Sequence, residues 1–256
     1  MDYFVKKDSI VREIWGKSDT ILFIFAGASA EFALNKGVDW LFYTGRLPED
    51  PLGRLFSTVE YARKIVFSPK HEAETAIQKI NTIHASVEGS RGKSIPDWAY
   101  RDVLFMLIDY SIRSCEILKR PLSYSEKEEV LEVFHRVGKG MHMRELPNSF
   151  EDFKSMRKNH LEQHLAYGDF SRELYRQYRK HLGYFRYRLL IETQILICPK
   201  TVKKIMFFRK VSVLSPLLFF YRFSRKINLD WLLKSLILPS EYKSQIKSLN
   251  HHPNHI

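Results

Sequence analysis

Cysteine is scarce in this 256-residue chain: Cys115 and Cys198 stand 83 positions apart with no partner motif. That excludes a disulfide framework and a Cys-rich zinc or iron–sulfur centre, and it suits a reducing compartment. Glycine (11) and proline (10) are also sparse, which argues against collagen-like, linker-like and sandwich-rich chains. Long apolar runs are missing as well. Residues 21–34 include Glu31, and residues 211–221 include Ser212, Ser215 and Pro216. Both runs fall short of the ~20 residues that a membrane-spanning helix needs. The segment Met1-Asp-Tyr-Phe-Val-Lys-Lys-Asp8 carries charges where an export signal needs an apolar core, so a cytoplasmic location is expected.

What is present is 45% apolar and 27% charged residues, enough for one large domain over residues 1–256, with a net charge of +12. The charge is unevenly spread. Residues 1–150 hold 21 Lys/Arg against 21 Asp/Glu, whereas residues 151–256 hold 20 against 8. The whole excess therefore lies in the second part, whose basic surface suits nucleic acid, anionic lipid or an acidic ligand.

Helical periodicity dominates and no run of strict alternation appears, so an all-α fold is expected. Asp50-Pro51 reads as an N-cap and first helical residue, with the helix stopped at Ser68-Pro69. A second helix carries Ala73, Ala76, Ile77, Ile80, Ile83, His84 and Val87 on one face and ends at Gly89. Further helices are expected at 97–118, at 125–137 with a Ser125/Glu128 capping box, from Ser149 to Leu165, and from Ser171 to Ile197 with a break near Gly183.

Four residues stand out as chemical candidates. His84 lies within an apolar stripe, where a histidine is either a hydrogen-bonded core residue or a ligand. Thr58 precedes the turn at Pro69 by about ten residues and His84 follows it by about fifteen, so at ~1.5 Å per residue a hairpin returns them to similar heights. A flat cofactor fits between two such helices if they splay. Arg54 and Thr58 share a helix face near a helix start, a favourable place for an anionic group, although a surface arginine and a helix-interior threonine read the same way. Glu31 is a carboxylate in an apolar segment. It is expected to be partly buried, either as a proton acceptor with a raised pKa or as half of a salt bridge with an arginine. His160 and His164 are spaced i, i+4 but lack the His-Glu-x-x-His pattern and an evident third ligand, so they read as a solvated face. The terminal His251, His252 and His255 read as a polar chain end. There is no phosphate loop, nucleophile elbow or Cys-x-x-Cys-His attachment site, and the last absence excludes covalent c-type haem.

Three ordered blocks, Asp50-Pro-Leu-Gly-Arg-Leu-Phe-Ser-Thr58, Ile83-His-Ala-Ser-Val-Glu-Gly89 and Arg120-Pro-Leu-Ser-Tyr-Ser-Glu126, resemble the MpaB-like oxygenases, which share the rubber oxygenase domain of latex clearing protein. The resemblance covers roughly residues 20–200 and leaves 200–256 as a basic amphipathic region. It implies a globin-like helical core around a non-covalent b-type haem, with oxidative cleavage of isoprenoid double bonds by dioxygen. It further implies His84 as the proximal ligand to the haem iron, Arg54 and Thr58 as the pair beside the haem, and Glu31 as a match to the distal catalytic base. Ser57 stands where rubber-cleaving members can place a distal lysine, so any sixth ligand differs.

The resulting expectation is a haem b oxygenase acting on an apolar, isoprenoid or other unsaturated lipid-like substrate. Peroxidase-like or dehydrogenase chemistry, and a non-catalytic haem sensor or carrier, are the alternatives on the same scaffold. No nucleic-acid motif accompanies the basic region, so no nucleic-acid partner is expected. Lys203, Lys204, Arg209 and Lys210 precede the apolar run at 211–221, and Arg222, Arg225 and Lys226 follow it. This arrangement suits either a core helix or peripheral contact with an anionic membrane.

Overall fold

A computed structural model describes residues 2–43 and 51–218, with the backbone alone at 41, 51, 52 and 54–56. Among these residues the chain is all helix, with no strand beyond the isolated bridges Tyr3–Pro69 and Asn35–Leu165. Short helices α1 (Ile10–Trp15), α3 (Asp39–Tyr43) and α10 (Lys200–Ile205) flank the longer ones. These are α2 (Ser18–Phe32), α4 (Pro51–Phe67), α5 (Lys70–Arg91), α6 (Asp97–Leu118), α7 (Tyr124–Gly140), α8 (Phe150–Gln163) and α9 (Asp169–Ile197).

Local chemistry sets the helix ends. Ser149 caps α8 by accepting from the Asp152 N–H at 3.1 Å. The capping box of α7 sits two residues earlier than expected. Ser123 Oγ accepts from the Glu126 N–H at 3.2 Å and the Glu126 carboxylate accepts from the Ser123 N–H at 2.8 Å, because Glu126 is also held by Arg120. Helix α5 runs past Gly89 to Arg91 and ends where Gly92 adopts φ 65°, a left-handed cap that glycine takes without steric cost. Gly183 has φ 69° and breaks α9 where a break was expected. The expected cap at Asp50 lies outside the described residues.

Helix α2 packs along α6 and α9, α4 packs against α5, and α7 and α8 close the far side of α6. The main core includes Ile14, Trp15, Ile21, Ile24, Phe105 and Ile108, and a smaller cluster of Ala33, Val38, Leu174, Tyr175 and Tyr178 joins α9 to the end of α2. Helix α3 is tied to the end of α5 by Arg91, which donates to Asp39 at 2.7 Å and stacks on Trp40. No helix among the described residues is long and apolar enough to cross a membrane.

Helix α2 meets α6 tightly at Gly27, where an added Cβ would enter the van der Waals envelope of the Tyr110 ring. The Tyr110 ring is fully buried and must shift to admit a methyl group, so Gly27→Ala is expected to destabilise the fold by about 1–3 kcal/mol despite alanine's higher helix propensity. Urea denaturation of the two proteins measures the difference.

Candidate functional site

Helices α2, α6 and α8 meet around a buried polar network. Asp102 and Asp109 lie two turns apart on α6, and Arg157, His160 and His164 follow an i, i+3, i+7 pattern along α8 and its C-cap, so each helix presents one polar face. Glu31 enters from α2 and is 0% exposed. Arg157 forks onto it, with Nη2 donating to Oε2 at 2.6 Å and Nη1 donating to Oε1. The Tyr110 hydroxyl donates to Oε2 at 2.9 Å, and His160 Nε2 lies 2.8 Å from Oε1. Arg157 also donates to Asp109 Oδ2 from Nε at 3.1 Å and Nη2 at 3.0 Å, while Arg113 holds the other Asp109 oxygen at 2.7 Å.

The network decides between the two readings of Glu31 and corrects the reading of the α8 histidines. Burial alone would raise the Glu31 pKa, but the charge and hydrogen bonds of Arg157, joined by those of His160, outweigh it and hold the carboxyl at about 2. Both Glu31 oxygens are occupied, so the salt bridge is realised and the raised proton affinity needed for a resting base is not. His160 and His164 do not form a solvated face. His160 is 3% exposed, and the third group able to ligate a metal, absent from the local sequence, is Asp102, about 60 residues earlier. His160 Nδ1 lies 2.5 Å from Asp102 Oδ1, and His164 Nδ1 lies 2.9 Å from Oδ2. Asn35 donates to the same Oδ2 at 3.0 Å. Burial opposes a charge on His160, but its bonds to Asp102 and Glu31 outweigh this and raise its pKa.

The other candidates lie elsewhere. His84 is half-buried on α5, and its ring stands 5.0 Å from that of Tyr100 on α6. One turn further along α5, Glu88 Oε1 accepts from the Ile95 N–H at 2.7 Å and the Tyr100 hydroxyl at 3.2 Å. Burial, reinforced by Glu88, pushes the Tyr100 pKa up. The apolar stripe of α5 is buried at Ala73, Ala76 and Ile77 but only partly buried at Ile80, Ile83, His84 and Val87. Thr58 is half-buried on α4, and Arg54 lies one turn before it with its side chain outside the described ones. Glu31 takes its partners from α6 and α8, whereas His84 packs from α5 on Tyr100 at the start of α6, so these two candidates lie in different neighbourhoods.

Comparison with known families gives a match over residues 18–234 to the family described as ER-bound oxygenase mpaB/B'/Rubber oxygenase, catalytic domain. The chain belongs to this family. Comparison with curated proteins and with solved structures gives no match. The family match takes in α2 to α10, and hence both neighbourhoods of this MpaB-like protein.

Removing one partner of a buried ion pair leaves an uncompensated charge, so Arg157→Met is expected to cost about 3–5 kcal/mol. Adding Glu31→Gln to it recovers part of that loss, which a double-mutant cycle in urea measures. The depressed Glu31 pKa also has a signature in pH. Its stabilisation is complete above the ordinary value near 4.5 and declines as pH falls toward about 2. Thermal midpoints between pH 5 and 2 should therefore fall less steeply in Glu31→Gln than in the native protein.

Proposed function

We propose that this member of an oxygenase family is a b-type haem oxygenase acting on an apolar, isoprenoid or other unsaturated lipid-like substrate, with His84 as the ligand to the haem iron. The observation that carries the reading is the half-buried imidazole of His84 in an apolar stripe whose second half is only partly covered by protein. Such a surface fits the donor and the flat apolar face that a haem requires.

Haem, when bound, supplies the activation of dioxygen. His84 would hold the iron from the α5 side. Tyr100 packs against the imidazole, and Glu88 anchors Tyr100, which fixes the ring's orientation. Thr58 on α4 would offer a hydroxyl toward polar atoms, and Arg54 would meet a propionate carboxylate. Glu31 is committed to Arg157, so the base role is left out. That same commitment favours the second reading, a non-catalytic haem-binding sensor or carrier.

An absorption spectrum tests the proposal. Purified protein supplied with haem is expected to show a Soret band at about one equivalent, and His84→Ala should remove or strongly weaken it. A protein without that band after haem addition refutes the cofactor, and an unchanged spectrum in the variant refutes the ligand. Oxygen uptake with a reductant and an unsaturated lipid separates the oxygenase from the carrier.

The C-terminal part supports a peripheral membrane contact. Phe207, Val211, Val213 and Leu217 are exposed beside Lys203, Lys204 and Lys210, with Arg209 paired to Glu192, while residues 219–256 lie outside the described ones. Apolar side chains with adjacent cations suit an anionic headgroup surface, each cation contributing about 1 kcal/mol. Co-sedimentation with anionic liposomes at low salt, lost in high salt and with neutral lipid, is the expected result.

A further inference from the structure

Asp102 is buried to 1% exposure, and its carboxylate meets Asn35, His160 and His164. The neighbouring carboxylates are neutralised differently: Glu31 is paired with Arg157, and Asp109 with Arg157 and Arg113. A carboxylate this deep requires positive charge beside it, which either a protonated His160 or a bound cation supplies. The three donor groups have ligand atoms within 4.8 Å of one another. We infer that Asp102, His160 and His164 form a binding site for a divalent first-row transition ion, of the zinc or ferrous class, distinct from any haem held by His84.

The spacing of the two imidazoles suits such an ion. The two Nδ1 atoms stand 3.4 Å apart. A tetrahedral ion with metal–nitrogen distances near 2.0–2.1 Å holds its ligand nitrogens about 3.3 Å apart. The surroundings are those that orient metal ligands. His160 turns its other nitrogen, Nε2, toward Glu31 at 2.8 Å, so that an Nε2–H donated to this carboxylate leaves the Nδ1 lone pair for an ion once the proton shared with Asp102 is displaced. Arg157 holds Glu31 in place, and Asn35 Nδ2 orients the Asp102 carboxylate.

Asp102 Oδ1 lies 2.5 Å from His160 Nδ1, a hydrogen-bonding separation, so the ion takes the place of a shared proton and moves the carboxylate outward by roughly 0.8 Å. Two imidazoles with one carboxylate favour zinc, cobalt or ferrous ions over magnesium and calcium, which prefer oxygen donors. His164 has a 25% exposed side chain, which gives the ion an approach from solvent, and Trp98 packs at 4.6 Å against its ring.

The test uses the full chain after chelator treatment and dialysis, titrated with Co2+ and then Zn2+. One equivalent of Co2+ is expected to produce visible ligand-field bands that Zn2+ abolishes, with Zn2+ also raising the thermal midpoint. His164→Gln, at the partly exposed end of α8, should weaken both effects roughly tenfold or more while keeping the helical circular dichroism. Asp102→Asn should remove them. Absence of cobalt bands up to about 1 mM ion overturns the inference. Equal titrations of the native chain and His164→Gln also overturn it, by placing the ion elsewhere, for example on the C-terminal histidines. The Soret band reports the haem separately, so either assignment can fail while the other stands.

Discussion

The buried pair of Glu31 and Arg157 is the constraint on which the surrounding structure depends. Each charge taken out of water costs several kcal/mol, and only close, multiply hydrogen-bonded geometry offsets that cost. The network supplies such geometry from three helices at once, with Tyr110 from α6 and His160 from α8 completing the Glu31 oxygens. A hydrophobic contact between α2 and α8 would tolerate sliding by part of a turn. The forked arginine does not, because both of its arms must find oxygens, so the pair fixes the register of helices that apolar packing alone leaves freer.

Helix α6 is the divider between the two chemically distinct neighbourhoods. Tyr100 and Asp102 are two residues apart, which on an α-helix turns their side chains about 200° away from each other. Tyr100 therefore packs on His84 of α5 while Asp102 faces His160 and His164 of α8. One helix thus positions an imidazole in a partly uncovered apolar stripe on one side and a carboxylate–imidazole cluster on the other. Membership in the oxygenase family bears on the whole arrangement, since the match spans residues on both sides of α6.

The helices were legible in the sequence where local chemistry governs them. Spacing of apolar residues, the serine at 149 and the prolines at 51 and 69 describe interactions that close within one or two turns, and α4, α6 and α8 begin where they point. The shift of the α7 cap from Ser125 to Ser123 shows the limit of such reading. Both serines precede a glutamate at the right spacing, and the choice falls to the one whose glutamate Arg120 also holds.

The sequence by itself determined that the chain is helical, that its second part is basic, and that its ordered motifs belong with an oxygenase family; these properties rest on periodicity, composition and local motif order. Only the tertiary structure decided what Glu31 and the histidines of α8 do. Glu31 and Arg157 are 126 positions apart, and Asp102 precedes His164 by 62, so no window along the chain contains both partners. A carboxylate's proton affinity depends on which charge lies within a few ångströms of it, and that distance is set by how helices pack.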